Sequence, residues 1–181
     1  MFKALKRVLV CTLAAAVTLG SAGVASAAQS PTQSVEPEKN ASVKVSNVTV
    51  STTEKGTATL KKIAKTNKKS VVVASKVKVD GVTYTVTTIN ANAFANCKKA
   101  TKVTIPATIK TIKKNAFKGA KALKTLTFKG KKAVTVKKGA FAGLNTKKMT
   151  IKVSKKMSKK EFTKFKKALK KAGFKGKIKK A

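Results

Sequence analysis

Apolar residues along this chain follow two periods, one of two residues and one of about 23. Val43, Val45, Val48 and Val50 alternate with polar residues in two pairs offset by one position, which predicts a strand carrying a bulge. From Val77 to Val86, alternating β-branched residues flank Asp80-Gly81. That pair accepts positive φ, so the segment predicts a hairpin closed by a type I′ turn.

The longer period is more informative. Ala-Phe recurs at Ala93-Phe94, Ala116-Phe117 and Ala140-Phe141, at spacings of 23 and 24. Five residues before each Phe stands a β-branched residue: Ile89, Ile112 and Val136. After each Phe comes a strand-like triplet: Val103-Thr104-Ile105, Leu126-Thr127-Phe128, Met149-Thr150-Ile151. The outer two residues of a triplet point one way and the Thr the other. Such columns predict one supersecondary unit stacked on copies of itself, each covering its neighbour's apolar face.

Beyond the third copy the period changes to that of a helix. Ser158-Lys159-Lys160-Glu161 reads as a capping box. Phe162, Phe165, Leu169 and Ala172 follow at helical spacing, Gly173 suits the position just past the helix, and Phe174 and Ile178 suggest a short closing strand.

The stretch TTINANAFANCKKATKVTIPATIKTIKKNAFKGAKALKTLTF, residues 87–128, resembles the bacterial BspA-like leucine-rich repeats. In that family a strand and a short run to an Ile lead into A-F-x-x-C and an apolar residue before the next strand. The resemblance spans about residues 70–153 and, more weakly, 57–70. It implies a β-rich fold with a minor α component, a short leucine-rich-repeat solenoid of about three to four turns of 23–24 residues. An N-terminal β cap over 42–69 and a C-terminal helix-strand cap over 158–181 would flank repeats at 70–157. The family's surface and secreted members imply adhesion or ligand display. Its cysteine column reads Cys97, Ala120, Leu144 here, so Cys97 is expected to fill a small apolar slot.

The first 27 residues read as an export leader. Lys3, Lys6 and Arg7 precede an apolar run from Val8 to Val24, and Ala25-Ser26-Ala27 offers a cleavage site. Residues 28–41, with Pro31 and Pro37, read as a flexible linker. Cleavage is expected to leave a secreted chain, extracellular or loosely wall-associated, with no transmembrane span.

Charge then narrows the chemistry. The full chain carries 43 Lys+Arg against 5 Asp+Glu, no His, and a formal net charge of +38. Arg7 and two lysines leave with the leader, so the remainder holds 40 lysines against five carboxylates, a net +35. Without histidine there is no Ser-His or Cys-His pair, and two cysteines build neither a zinc ribbon nor a disulfide framework. No enzyme activity, metal or cofactor is expected. At this charge the chain is expected to be a monomer whose partners are anionic: teichoic acid, acidic glycans, extracellular DNA. Nucleic acid would bind without sequence preference at low salt.

If the triplets align in rows, the face away from the core carries Lys102-Thr104-Pro106, Thr125-Thr127-Lys129 and Lys148-Thr150-Lys152. Lys102, Lys129, Lys148, Lys152, Thr104, Thr127 and Thr150 are therefore the candidate polyanion-binding residues. This alignment makes an all-Thr central column and sets Lys129 beside Lys152. A protein-binding repeat module that recognises one specific host or bacterial partner is the alternative.

Overall fold

The computed structural model describes residues 42–45 and 47–181; the expected leader and linker lie outside the described residues. β1 (Ser42–Val45) and β2 (Val48–Thr52) are two antiparallel strands rather than one bulged strand. The one-residue offset in the valine pattern is the connection between them, and it sets Val43 opposite Val50 and Val45 opposite Val48. A register break does occur one strand later. β3 (Thr57–Ile63) pairs Lys62 with Thr49 and Leu60 with Val50, leaving Lys61 as the additional residue.

The hairpin at Asp80-Gly81 forms as its pattern predicts. β5 (Lys76–Val79) runs antiparallel to the first half of β6 (Val82–Ile89), with Asp80 at φ 47° and Gly81 at φ 85°. The second half of β6 turns to a different task and pairs in parallel with β3. It also pairs in parallel with β8 (Thr111–Ile112), and β8 in turn with β10 (Thr135–Val136). The repeat columns seen in the sequence thus become rungs. Leu60, Ile89, Ile112 and Val136 stand in line, with Thr88, Thr111 and Thr135 beside them.

A second parallel ladder runs alongside. β4 (Ser70–Val72), β7 (Lys102–Ile105), β9 (Thr125–Phe128), β11 (Thr150–Val153) and β12 (Lys177–Lys180) form a five-stranded sheet in that order. Its inward column is Val71, Val103, Leu126, Ile151 and Ile178. All but Ile178 are buried, and they share one core with Ile89 and Ile112. Both ladders bury alternate residues in that core, so their outward faces look away from each other.

Between the ladders the chain turns through a stack of rings. Phe94 and Phe117 stack with centroids 4.7 Å apart, and Phe117 and Phe141 stack at 5.4 Å. Two residues before each ring the backbone takes positive φ: Asn92 at 58°, Asn115 at 59°, Gly139 at 75°. Asn and Gly are the residues that tolerate this conformation. The turns are tied by backbone bonds from Asn92 N–H to the Asn115 carbonyl and from Asn115 N–H to the Gly139 carbonyl, each 3.0 Å. The next donor, Gly139 N–H, meets the carbonyl of Ala172 at 3.2 Å.

Ala172 is the C-cap of α1 (Lys159–Lys171), the helix predicted from the capping box. Ser158 accepts from Glu161 N–H at 3.2 Å, but Glu161 does not return the bond. Its carboxylate accepts from Ala133 N–H at 2.5 Å, fastening the helix to the segment before β10. Tertiary contact overrides the local motif there. The far end closes as a Schellman motif, with Gly173 N–H on the Lys170 carbonyl and Phe174 N–H on that of Leu169. Phe174 therefore lies in this turn rather than in the closing strand, where its ring meets Phe141 at 5.5 Å. Phe165 and Leu169 are fully buried, and Phe165 packs edge-on against Phe128 with centroids 4.8 Å apart.

Candidate functional site

The outward face of the second ladder is set by the in-register pairing of its five strands. One column reads Ser70, Lys102, Thr125, Thr150, Lys177; the next reads Val72, Thr104, Thr127, Lys152, Lys179. Lys102, Lys177 and Lys179 are exposed, while Lys152 and the four threonines are half-buried. Past the strand ends, Lys129 N–H bonds to the Ile105 carbonyl and Ser154 N–H to that of Phe128, which sets Lys129 and Ser154 one rung apart.

This corrects the expected alignment of the third row. Thr150 stands opposite Thr125, not Thr127, so β11 is displaced by two residues from the row inferred from the repeats. The cause is the connector. Phe94 and Phe117 lie nine residues before the inward residues Val103 and Leu126, whereas Phe141 lies ten before Ile151. A 3-10 turn at Thr146–Lys148 takes up the difference, and Met149 packs in the core just before the strand. An even displacement preserves the alternation of faces, so Thr150 and Lys152 still point outward.

The consequences for the candidate residues are specific. Thr104 and Thr127 are neighbours as expected, but the third place in their column belongs to Lys152. Lys129 sits beside Ser154 rather than Lys152. Lys148 lies exposed in the 3-10 turn, outside both columns. Lys177 and Lys179, which sequence reasoning did not assign to the face, extend it by one row. Most lysines now have a hydroxyl as ladder neighbour: Lys102 with Thr125, Lys152 with Thr127, Lys177 with Thr150. Lys152 against Lys179 is a like-charge rung. No carboxylate stands among these positions; of the described acids, Glu54 and Asp80 lie in hairpin turns and Glu161 binds Ala133.

Cys97 fills the slot expected of it. It is fully buried, and its N–H donates to the Phe94 carbonyl at 3.0 Å. Burial pushes its thiol up to about 11 from 9.0. At neutral pH the thiolate fraction should be about a hundredfold below that of the unfolded chain. Iodoacetamide labelling of the Cys97 peptide, read by mass spectrometry, should therefore be slow until urea unfolds the protein. Equal rates in both states would contradict this burial. Above pH 9 the unfolded chain releases this proton first, so the thiol's contribution to stability falls as pH rises toward 11.

Tyr84 and six phenylalanines are buried, which leaves no exposed aromatic platform for stacking bases in that set. Among the described residues, no group of three or more His, Cys, Asp or Glu could hold a metal ion, and no helix is long and apolar enough to cross a membrane.

The sequence of residues 83–180 matches the family described as BspA type leucine rich repeat region, in six copies. The chain belongs to the BspA-type leucine-rich-repeat family. The matched region runs past the third Ala-Phe and includes both α1 and β12. No curated protein matches the sequence. Among solved structures, this BspA-type chain is similar to a leucine-rich repeat protein from Bacteroides capillosus. The two are 23% identical with a TM-score of 0.55, over 65% of this chain and 86% of that one. It is also similar to a leucine rich cell surface protein from Faecalibacterium prausnitzii, at 20% identity and a TM-score of 0.49, over 67% of this chain and 38% of that one. A leucine-rich repeat protein from Bacteroides ovatus gives 20% identity and a TM-score of 0.46, over 64% and 38%. The first of these shares the fold of stacked strands and turns.

Proposed function

We propose that this BspA-type chain is a secreted, non-enzymatic binding module that holds anionic polymers at the bacterial surface against the outward face of its second ladder. The observation that carries the reading is that lysines and hydroxyls share that face, three of its four lysines having a hydroxyl neighbour on the ladder, with no carboxylate interrupting it. Ammonium groups supply attraction that is indifferent to sequence, and the hydroxyls between them donate or accept hydrogen bonds. Residues 42–69 and the α1–β12 segment serve as the two end covers of a short solenoid, shielding edges that would otherwise pair with other chains. DNA binds through the same charges at low salt.

The test is a salt titration of binding to poly(glycerol phosphate), heparin and a neutral glycan. Replacing Lys102, Lys152, Lys177 and Lys179 by glutamine should lower the slope of log affinity against log salt by about 3. Replacing Lys160, Lys164, Lys167 and Lys171 of α1 removes the same charge and should lower it less. Equal effects would refute a dedicated face.

A specific protein partner is the second reading, and Val72 favours it. It is 69% exposed, at the edge of the same sheet, beside a depression of about 380 Å³ lined by Val73, Thr104, Pro106 and Lys129. Binding that resists salt and collapses on Val72→Asp alone would be its signature.

A further inference from the structure

The strictest lysine grid in the protein lies on the other ladder. Lys113 follows Ile112 of β8 and Lys137 follows Val136 of β10, and each is succeeded by a second lysine, Lys114 and Lys138. Backbone bonds fix them one rung apart: Lys113 N–H donates to the Ile89 carbonyl at 3.0 Å and Lys137 N–H to the Ile112 carbonyl at 2.9 Å. All four side chains are exposed. They surround a shallow depression of about 520 Å³ whose remaining lining is Thr111 and Ala91. A Cβ at Gly139 would stand 3.5 Å from Cγ of Lys114 and 3.8 Å from its Cε, so the Lys114 stem lies across the glycine of the next turn.

Four like charges on neighbouring rungs repel one another, and rows in such a ladder are roughly 4.8 Å apart. No hydroxyl separates Lys113 from Lys137, as none separates Lys152 from Lys179 on the second ladder, but here the like-charge rung is doubled by Lys114 and Lys138. An anionic strand laid across the depression would relieve that repulsion at four points. Thr111 and Ala91, which carry no charge, complete the lining of the depression.

We infer that this grid is a second polymer-binding site, and that the two sites on opposite sides of the core let one molecule bridge two anionic polymer strands. The inference rests on the proposed polymer-binding reading and adds valence to it. The argument for opposition is geometric: Ile112 and Leu126 point into one core from the two ladders, so Thr111 and Lys113 face away from Thr125 and Thr127.

The experiment mixes poly(glycerol phosphate) strands carrying a donor fluorophore with strands carrying an acceptor, at physiological salt. The protein should bring donor and acceptor together, with a maximum at intermediate protein concentration, because excess protein gives every strand its own molecules. Replacing Lys113, Lys114, Lys137 and Lys138 by glutamine should cut the transfer signal at least tenfold, while affinity for a single strand stays within about threefold, since the other face is intact. The α1 variant, equal in charge, should keep the signal. Strand binding without energy transfer, or equal losses in the two variants, would overturn the bridge and leave the first site standing. No strand binding by the unaltered protein at that salt would remove both.

Discussion

Replacing Phe117 by alanine is expected to lower the unfolding free energy by about 3–5 kcal/mol, the range for a buried Phe whose surroundings cannot collapse. Collapse is blocked on both sides. Phe94 lies 4.7 Å away on one face and Phe141 5.4 Å away on the other. The backbone holds both neighbouring turns in place, since Phe94 N–H donates to the Ala116 carbonyl at 3.1 Å and Ala140, next to Phe141, accepts from Phe117 N–H at 3.2 Å. The void therefore persists. A domain of this kind has about 5–15 kcal/mol in total, so the loss is a large share. A stacked fold adds a second consequence, because each copy is stabilised by its neighbours. Removing the middle ring weakens the coupling between the turns on either side, and urea unfolding followed by circular dichroism should broaden as its midpoint falls. A loss below about 1.5 kcal/mol with an unchanged slope would mean that the rings do not carry the stack.

The second large effect is expected at Gly176. Its φ is ordinary, so conformational freedom is not the reason for glycine there. Space is. A Cβ at this position would collide with the backbone carbonyls of Met149 and Thr146 and stand 2.8 Å from the Phe174 ring. Neither carbonyl can yield cheaply, since Met149 accepts from Lys177 N–H at 3.0 Å and Thr146 belongs to the 3-10 turn that sets the β11 register. Gly176→Ala should cost about 3 kcal/mol, the upper end of overpacking. It should also lift β12 off β11, and with it Lys177 and Lys179. Gly143→Ala is the control, because Gly143 has φ 78° but nothing within 4 Å of its Cβ. It should cost only the conformational term, about 1 kcal/mol. Hydrogen exchange on the β11 and β12 amides reads the difference, and equal protection in the two variants would sink the argument.

Much of the fold was legible because its order is a repetition. Ile89, Ile112 and Val136 align on sight, and the three Ala-Phe pairs lie 23 and 24 residues apart and become the ring stack. Asp80-Gly81 announced its hairpin through local backbone preference. The register of β11 was not legible. Met149-Thr150-Ile151 and Ile151-Lys152-Val153 alternate equally well, and a two-residue displacement leaves every side chain on its proper face. Only the 3-10 turn distinguishes them, and nothing in TKK announces one. Glu161 misled in another way, since the capping-box spacing was satisfied by one bond while its carboxylate found a partner 28 positions away. The grid at Lys113, Lys114, Lys137 and Lys138 had a signal that passed unread: a doubled lysine recurring at the repeat spacing, directly after the column residue. The positive-φ column at Asn92, Asn115 and Gly139 was similarly visible as a recurrence two places before each ring.

The bond from Gly139 N–H to the Ala172 carbonyl has a consequence for how such a protein can change over generations. The helix end offers the third turn the same acceptor that each turn offers the one before it. A duplicated segment of 23 or 24 residues, inserted between the Phe117 and Phe141 turns, would find matching donors and acceptors above and below. Neither end would need redesign. The number of rows, and with it the extent of the two outward faces, is thus a quantity that tandem duplication can adjust in whole steps.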